Sequence, residues 1–390
     1  MAAIGSCSCN DEEEEIRLKL WPALAIGVIQ GTLILAHWFI FTTWIAFWPG
    51  EIVDPPAGLR VAMLVLAFSF AAATLLALRF SNAVVRAVYW LASLWLGLVN
   101  LFFWTSFLVW TAWLVLRLMH PAVHSGAVRP ILAGVLYGMA ALLGLCGIIN
   151  AQILRIRHVA IAIPNLPTSW KGRRAVLLSD LHLGPINGMR FCRRIAARAA
   201  KFKPDVVFLP GDLFDGTKGD LDRLAAPLKQ LTPPLGIYFS TGNHEEFTDP
   251  AHYVEAIARA GIRVLRDEMV SIEGVQVAGV YYHSSSSPLR MKAALDRMNL
   301  DRTRPAILLN HAPTRLPTVE QAGFNLQLSG HTHGGQFLPF TWITRGVYGR
   351  FTSGLQRHGS LQVYTSTGAG SWGPPMRLGT RPEMVILTFT

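Results

Sequence analysis

Five short polar clusters hold the residues whose types and spacing can do chemistry. They are Ser179-Asp180-Leu181-His182, Pro210-Gly211-Asp212, Thr241-Gly242-Asn243-His244-Glu245, Asn310-His311 and Ser329-Gly330-His331-Thr332-His333-Gly334-Gly335. Histidine nitrogen and aspartate oxygen suit borderline divalent cations such as Mn²⁺, Fe²⁺ and Zn²⁺. Asp-x-His and His-x-His on extended backbone place both side chains on one side of the chain. Glycine beside a ligand lets the backbone turn sharply and come close to a phosphate. A pair of ions about 3.5–4 Å apart needs a bridging carboxylate with ligands on both flanks, an arrangement suited to hydrolysing phosphate esters. Each cluster alone is ordinary: Asp-x-His is common, Gly-Asp is usually a turn and Gly-Asn-His a loop. Their sum is not, because nine of the twelve histidines follow residue 157 and five of those nine fall inside the clusters.

Each cluster follows a short apolar run that reads as a strand, at 175–178, 206–209, 237–239, 306–309 and 326–328. Helical patterns at 187–202 and 250–260 lie between some of them. The alternation predicts an α/β or mixed-sheet domain, in which ligands bind beyond the carboxyl ends of the strands. Five strand ends would then deliver Asp, His and Asn side chains to one place.

The first 157 residues differ in kind. They hold nine Lys or Arg and seven Asp or Glu, against 26 and 17 in residues 158–390. Mean hydropathy over the whole chain is +0.35, too apolar for an ordinary soluble protein. A spanning helix needs about 20 apolar residues, and four stretches meet or approach this: 20–48, 61–78, 87–116 and 130–154. The third is too short to cross twice and fits one tilted helix. The first is too long for a cleaved signal peptide, follows an acidic tail and is succeeded by more spans. Trp21, Trp44, Trp48, Trp110 and Trp113 lie near the ends of runs, where an aromatic belt would place them. His37 and Asn100 fall inside spans, and a single interhelical hydrogen bond for each is the simpler reading than a transport pathway.

The expected organisation is a tail at 1–19, an all-α transmembrane part of about four helices at 20–157 and a globular domain at 158–390. With four crossings both termini share a side, and that side carries Arg17, Lys19, Arg79, Arg86, Arg155 and Arg157 against Arg60, Arg117 and Arg129 on the other. Six against three puts the globular domain in the cytoplasm. Cys7, Cys9, Cys146 and Cys192 form no disulfide framework, which leaves a reducing compartment open. The net charge of +11 comes without a long Lys/Arg run, so nucleic acid is not specifically indicated as a partner.

The ordered series Asp180-x-His182, Gly211-Asp212, Gly242-Asn243-His244-Glu245, Asn310-His311 and Gly330-His331-Thr332-His333 resembles the calcineurin-like metallophosphoesterase superfamily. The Gly-His-Thr-His-Gly-Gly-Gln run, Pro375-Met376-Arg377-Leu378-Gly379 and Arg381-Pro382-Glu383 resemble its membrane-associated bacterial phosphodiesterase branch. The resemblance covers residues 158–390. It implies two mixed β-sheets sandwiched between helices and two divalent ions per chain, Mn²⁺ being favoured. It also implies roles: Asp180, His182 and His333 on one ion, Asn243, His311 and His331 on the other, Asp212 bridging, and His244 catalytic without binding metal. Asp215 would support the centre from behind or cap a following turn. Many relatives carry an acidic residue just after Gly279-Val280, where this chain reads Tyr281-Tyr282-His283.

These readings predict a membrane-anchored hydrolase of a phosphodiester or pyrophosphate, placed by its resemblance in a bacterial inner membrane. The substrate is phosphorylated; a lipid-linked molecule and a soluble nucleotide both fit. Family members that cleave the pyrophosphate of UDP-diacylglucosamine favour the former by analogy. The segment 337–350, with Phe337, Phe340, Trp342, Tyr348, Arg345 and Arg350, suits either a lipid–water interface or the core. The alternative function is a membrane scaffold or sensor that keeps the phosphoesterase fold for binding only.

Overall fold

The computed structural model describes residues 8–48, 57–120, 127–247 and 249–390. Cys7 lies outside them, as do the side chains of Cys9, Arg17, Lys19 and Trp21. Four helices come first: α1 (Ser8–Phe47), α2 (Ala57–Arg79), α3 (Ala83–Met119) and α4 (Val128–Gln152). Each contains a stretch long and apolar enough to cross a membrane, Ile26–Phe47 in the case of α1. The third is one continuous helix of 37 residues, as the single tilted helix read from the sequence requires. Helix α1 starts at Ser8, inside the segment read from the sequence as a tail.

Met1–Leu75 and Trp95–Leu142 make one compact unit, and Leu76–Leu94 with Leu143–Thr390 make another. Polar side chains in the first unit are bonded either to carbonyls of their own helix, as Thr32 and Thr74 are, or across to a neighbouring helix. Trp95 Nε1 donates to His37 Nε2 at 2.9 Å, while His37 Nδ1 donates to Leu33 O at 2.7 Å. Trp110 Nε1 donates to Thr43 Oγ1 at 3.0 Å. His37 thus makes the interhelical bond expected of it.

Among the described residues the second unit contains twelve strands: β1 (Arg155–Ile161), β2 (Arg174–Leu177), β3 (Val206–Pro210), β4 (Ile237–Ser240), β5 (Arg263–Val264), β6 (Glu268–Ile272), β7 (Val275–Gly279), β8 (Ala306–Leu309), β9 (Leu326–Ser329), β10 (Gly354–His358), β11 (Leu361–Thr365) and β12 (Glu383–Phe389). They form two mixed sheets, ordered β1-β12-β2-β3-β4-β5 and β10-β11-β9-β8-β7-β6. Its helices are α5 (Met189–Ala200), α6 (Leu221–Ala225), α7 (Asn243–Glu246), α8 (Pro250–Arg259), α9 (Pro288–Arg297), α10 (Leu316–Ala322) and α11 (Phe340–Tyr348).

Side-chain alternation decides the layers. Ala175, Leu177, Val206 and Phe208 point from the first sheet into the space between the sheets, where Ile307, Leu309, Leu326 and Leu328 meet them from the second. Val176, Val207 and Leu209 point the other way, under Cys192, Ile195 and Ala196 of α5 and Val254 and Ile257 of α8. On the far side, Ala306 and Leu308 pack beneath Met291 and Leu295 of α9 and Leu316 and Val319 of α10. Each such fully buried Val, Leu, Ile or Phe contributes about 1.5–3 kcal/mol. The central strands are buried on both faces, so they read as continuous apolar runs rather than alternating ones.

Helix signals are local. Helix α5 buries Cys192, Ile195, Ala196 and Ala199, one stripe at helical spacing, and turns its arginines outward. Helices α8 and α9 each begin with a capping side chain followed by proline: Asp249 accepts from Ala251 N, and Ser287 accepts from Arg290 N.

Candidate metal centre

Parallel strands β2, β3, β4, β8 and β9 all end on one side of the sandwich, and each delivers one polar cluster there. Asp180 and His182 follow β2, Asp212 follows β3, Asn243 and His244 follow β4, His311 follows β8, and His331 and His333 follow β9. The structure brings together all eight residues singled out from the sequence.

The backbone at this point is unusual. Asp180, His182, Asp212, His331 and His333 have φ of 53°, 46°, 53°, 69° and 49°, in the left-handed region that non-glycine residues rarely adopt. Such strain costs on the order of 1–3 kcal/mol per residue and persists where the surroundings enforce it, commonly at functional sites. Two glycines make room. A Cβ on Gly242 would overlap the Asp212 carboxylate, and one on Gly330 would overlap Ser179 and Asp180.

Asp212 Oδ2 sits at the middle. It lies 3.2 Å from His311 Nε2, 3.7 Å from His182 Nε2 and 4.0 Å from His244 Nε2. Asp180 Oδ1 is 3.6 Å from His333 Nε2 and 3.9 Å from His182 Nε2. On the other flank His331 Nδ1 is 3.0 Å from Asn243 Oδ1 and 3.2 Å from His311 Nε2. Three overlapping groups have donor atoms close enough to share an ion: Asp180, His182 and His333; His182, Asp212 and His244; and Asp212, His311 and His331. They share His182 and Asp212, so the donor set fits two adjacent divalent cations.

Buried hydrogen bonds fix these donors. The His331 N–H donates to both Asp180 oxygens, and Ser179 Oγ donates to Asp180 Oδ2 at 2.6 Å. The His244 N–H donates to Asp212 Oδ1 at 3.0 Å. His311 Nδ1 donates to Pro210 O at 2.8 Å, and His244 Nδ1 donates to Asp215 O at 2.8 Å, so both rings turn Nε2 inward. Asp215 supports the centre from behind through this carbonyl. Its carboxylate, pushed up to about 6 by burial, accepts from Thr217 N and Oγ1.

The charges are strongly coupled. Burial opposes ionisation of Asp212, but His311, His244 and His182 around it hold its carboxyl well below the usual range. Burial likewise opposes protonation of His311, yet the Asp212 and Asp180 carboxylates raise it to about 10. Burial pushes Asp180 up to about 6. Burial holds His182 and His333 well below their ordinary value, which keeps their ring nitrogens available to a cation.

The family model for calcineurin-like phosphoesterases matches residues 173–335. A protein of Aquifex aeolicus described as an uncharacterized metallophosphoesterase is 33% identical over 262 residues, covering 64% of this chain and 97% of its own length. The chain belongs to the calcineurin-like metallophosphoesterase family. The family's dinuclear divalent centre matches the donor set described above. Two proteins called "Transmembrane protein with metallophosphoesterase domain", from Danio rerio and Bos taurus, are each 33% identical, over 70% and 67% of this chain. The chain spans 65% and 62% of their lengths.

Sequence reading gave no place at this metallophosphoesterase site to several residues that the structure puts there. Glu245 is fully buried and accepts from the N–H groups of Asp212, Phe214 and Gly242 at 3.0, 3.0 and 2.8 Å, holding two ligand-bearing turns together. The fully buried Arg377 donates to the carbonyls of His333, Thr367 and Gly370, and its guanidinium lies 3.0 Å from His333 Nδ1. The Tyr282 ring lies 5.8 Å from that of His331 and 5.9 Å from that of His311. His283 beside it is exposed and starts a short 3-10 turn, His283–Ser285. Phe247 and Trp372, both exposed, have ring centroids 4.8 and 6.2 Å from His244. Tyr348 of α11 lies 6.2 Å from His331. The mouth of the site is therefore rimmed with aromatic rings.

Proposed function

We propose that this chain is a membrane-anchored, metal-dependent hydrolase of a phosphodiester or pyrophosphate bond, acting on a lipid-like substrate. The observation that carries this reading is the convergence of imidazole nitrogens on Asp212 Oδ2, between two flanking donor groups. Asp180, His182 and His333 would hold one divalent ion, Asn243, His311 and His331 the other, and Asp212 both; Mn²⁺ suits this nitrogen–oxygen set. Ions bound there supply positive charge to phosphoryl oxygens and acidify water.

The chain's own residues do the rest. Asp212 and Asp180 are locked by backbone N–H groups, so the donor geometry exists before substrate arrives. His244 presents Nε2 to the same space while the Asp215 carbonyl holds its Nδ1–H. When Nε2 also carries a proton, as the imidazolium, it can donate a hydrogen bond to a phosphoryl oxygen or pass that proton to the leaving oxygen. Phe247, Trp372, Tyr282 and Tyr348 form an apolar rim that suits an acyl or other hydrophobic substituent more than a bare nucleotide phosphate.

Helix α11 extends the rim. Phe340, Trp342, Ile343 and Val347 are 46–69% exposed, and no residue of the helix is buried. Of the aromatic segment only Phe337 joins the interior. This exposure supports membrane contact over core packing.

The test is product analysis. Detergent-purified protein with Mn²⁺ should hydrolyse one or more members of a panel of lipid pyrophosphates, phospholipids and nucleotides. Asp212→Asn should abolish that turnover and lower metal content at both positions. Full activity in Asp212→Asn would reject the assigned centre.

A further inference from the structure

A second place in the catalytic unit has the chemistry to bind an anion. A cavity of about 740 Å³ opens where α2 and α4 end and α3 begins, against the loops behind the metal centre, all within the unit formed by Leu76–Leu94 and Leu143–Thr390. Five cations line it: Arg86 on α3, Arg190 and Arg194 on α5, Lys218, and Arg223 on α6. The single acid in the lining, Asp220, is engaged in capping α6, where its Oδ1 accepts from Arg223 N at 2.9 Å. Among the described residues none of the five cations forms an ion pair with a carboxylate; Arg194 donates to the neutral Gln152 at 3.2 Å. Clustered like charges without counter-charges repel one another, and a bound anion relieves that.

The rest of the wall narrows the class of anion. Phe80, Trp90 and Phe191 also line the cavity, so the ligand has an apolar part beside its charge. The volume falls within the roughly 300–1,000 Å³ typical of organic-ligand sites, far more than one phosphate needs. Height matters as well. Phe80 follows the last residue of α2, Arg86 lies in the first turn of α3, and Gln152 is the last residue of α4. Where spanning helices end is where lipid phosphates lie, and each Lys or Arg near an anionic surface gains from them.

We propose that this cavity binds a phosphate group, delivered by the headgroup of an anionic membrane lipid. Its floor is the reverse side of the ligand-bearing loops: Gly184 follows His182 by two residues, and Gly370 N donates to Asp180 O at 2.9 Å. The proposal requires no hydrolysis and stands apart from the catalytic reading.

The experiment uses the full chain in a neutral detergent, titrated calorimetrically with dihexanoyl phosphatidylglycerol, dihexanoyl phosphatidylcholine, glycerol 3-phosphate and inorganic phosphate. Phosphatidylglycerol should bind and raise Tm, while phosphatidylcholine should do neither. The double variant Arg190→Gln/Arg194→Gln should weaken phosphatidylglycerol at least tenfold while keeping the lipid-free Tm. If that variant fails to fold, Lys218→Gln/Arg223→Gln takes its place with the same expectation. Asp212→Asn should bind phosphatidylglycerol as the parent does, which separates this site from the metal centre. Unchanged affinity in the arginine variant, or loss of binding only in Asp212→Asn, overturns the cavity assignment. Inorganic phosphate or glycerol 3-phosphate binding as tightly as phosphatidylglycerol overturns the lipid as its source.

Discussion

At the scale of single residues, the site separates groups that hold charge from one that moves a proton. His244 has its Nδ1 fixed on the Asp215 carbonyl and its Nε2 4.0 Å from Asp212 Oδ2. If it acts in the chemistry without binding metal, His244→Ala retains two ions per chain and loses about 10²–10⁴ in rate; loss of metal along with activity would reassign it as a ligand. His311 gives a prediction of a different kind. Without metal its proton is held up to about pH 10, whereas Asp180 takes one up below about pH 6. A cation binding at His311 Nε2 must displace that proton, so metal affinity rises with pH. Between about pH 6 and 9 one proton should leave from His311, a gain of roughly tenfold per pH unit; below about 6 the dependence steepens as Asp180 must also deprotonate. Calorimetry in two buffers of different ionisation heat counts the released protons, and a count of zero at pH 7.5 would remove His311 from the ligand set. The eight central residues were legible because each sits in a short cluster after an apolar run. Glu245 and Arg377 were not legible as supports, since all but one of Glu245's partners lie 31–33 residues away, those of Arg377 lie 7–44 away, and only the fold shows them.

Elements were legible to the extent that their signals are local. The five apolar runs are central strands, and the caps Asp249 and Ser287 start α8 and α9 where proline allows. Strands β1 and β12 escaped notice, because they pair with each other across more than 200 residues in parallel register, Arg155 opposite Glu383. The switch from α4 to β1 is equally hidden, since the linking Ile153-Leu154 is as apolar as the span before it. Helix α11 left two readings open because aromatic residues suit both core and interface; exposure favours the interface. Trp342→Ala/Arg345→Ala should therefore slow hydrolysis of a bilayer-embedded lipid by fivefold or more, about 1 kcal/mol for the arginine alone near an anionic surface. A small soluble diester should be turned over at an unchanged rate, since no metal donor is touched. Equal slowing of both substrates with a lowered Tm would return the helix to a packing role.

For the molecule as a whole, topology decides which side of the membrane the metal centre faces. The junction of α2 and α3 belongs to the catalytic unit: Lys218 N donates to Ala77 O at 3.0 Å, and Asn150 of α4 donates to the carbonyls of Arg377 and Thr380. The ends of α2 and α4 and the start of α3 are thus on the catalytic side, which the Lys/Arg count required. That side carries Arg79, Arg86, Arg155 and Arg157, while Arg60, Arg117 and Arg129 lie at the opposite helix ends. Positive charge near span ends favours the cytoplasmic face, so the catalytic domain is expected there, with access to lipids of the inner leaflet. Alkaline phosphatase, which is active only outside the cytoplasm, reports this when fused after Thr390; green fluorescent protein reports the converse. Fluorescence without phosphatase activity is the expected pair. The opposite pair would move the site outside the cytoplasm, exclude cytoplasmic nucleotides as substrates and leave the outer leaflet as the source of any lipid. A third fusion, within 121–126 between α3 and α4, should show the reverse of the Thr390 pattern. If it shows the same pattern, an even number of crossings separates the two points and the four-span reading itself fails.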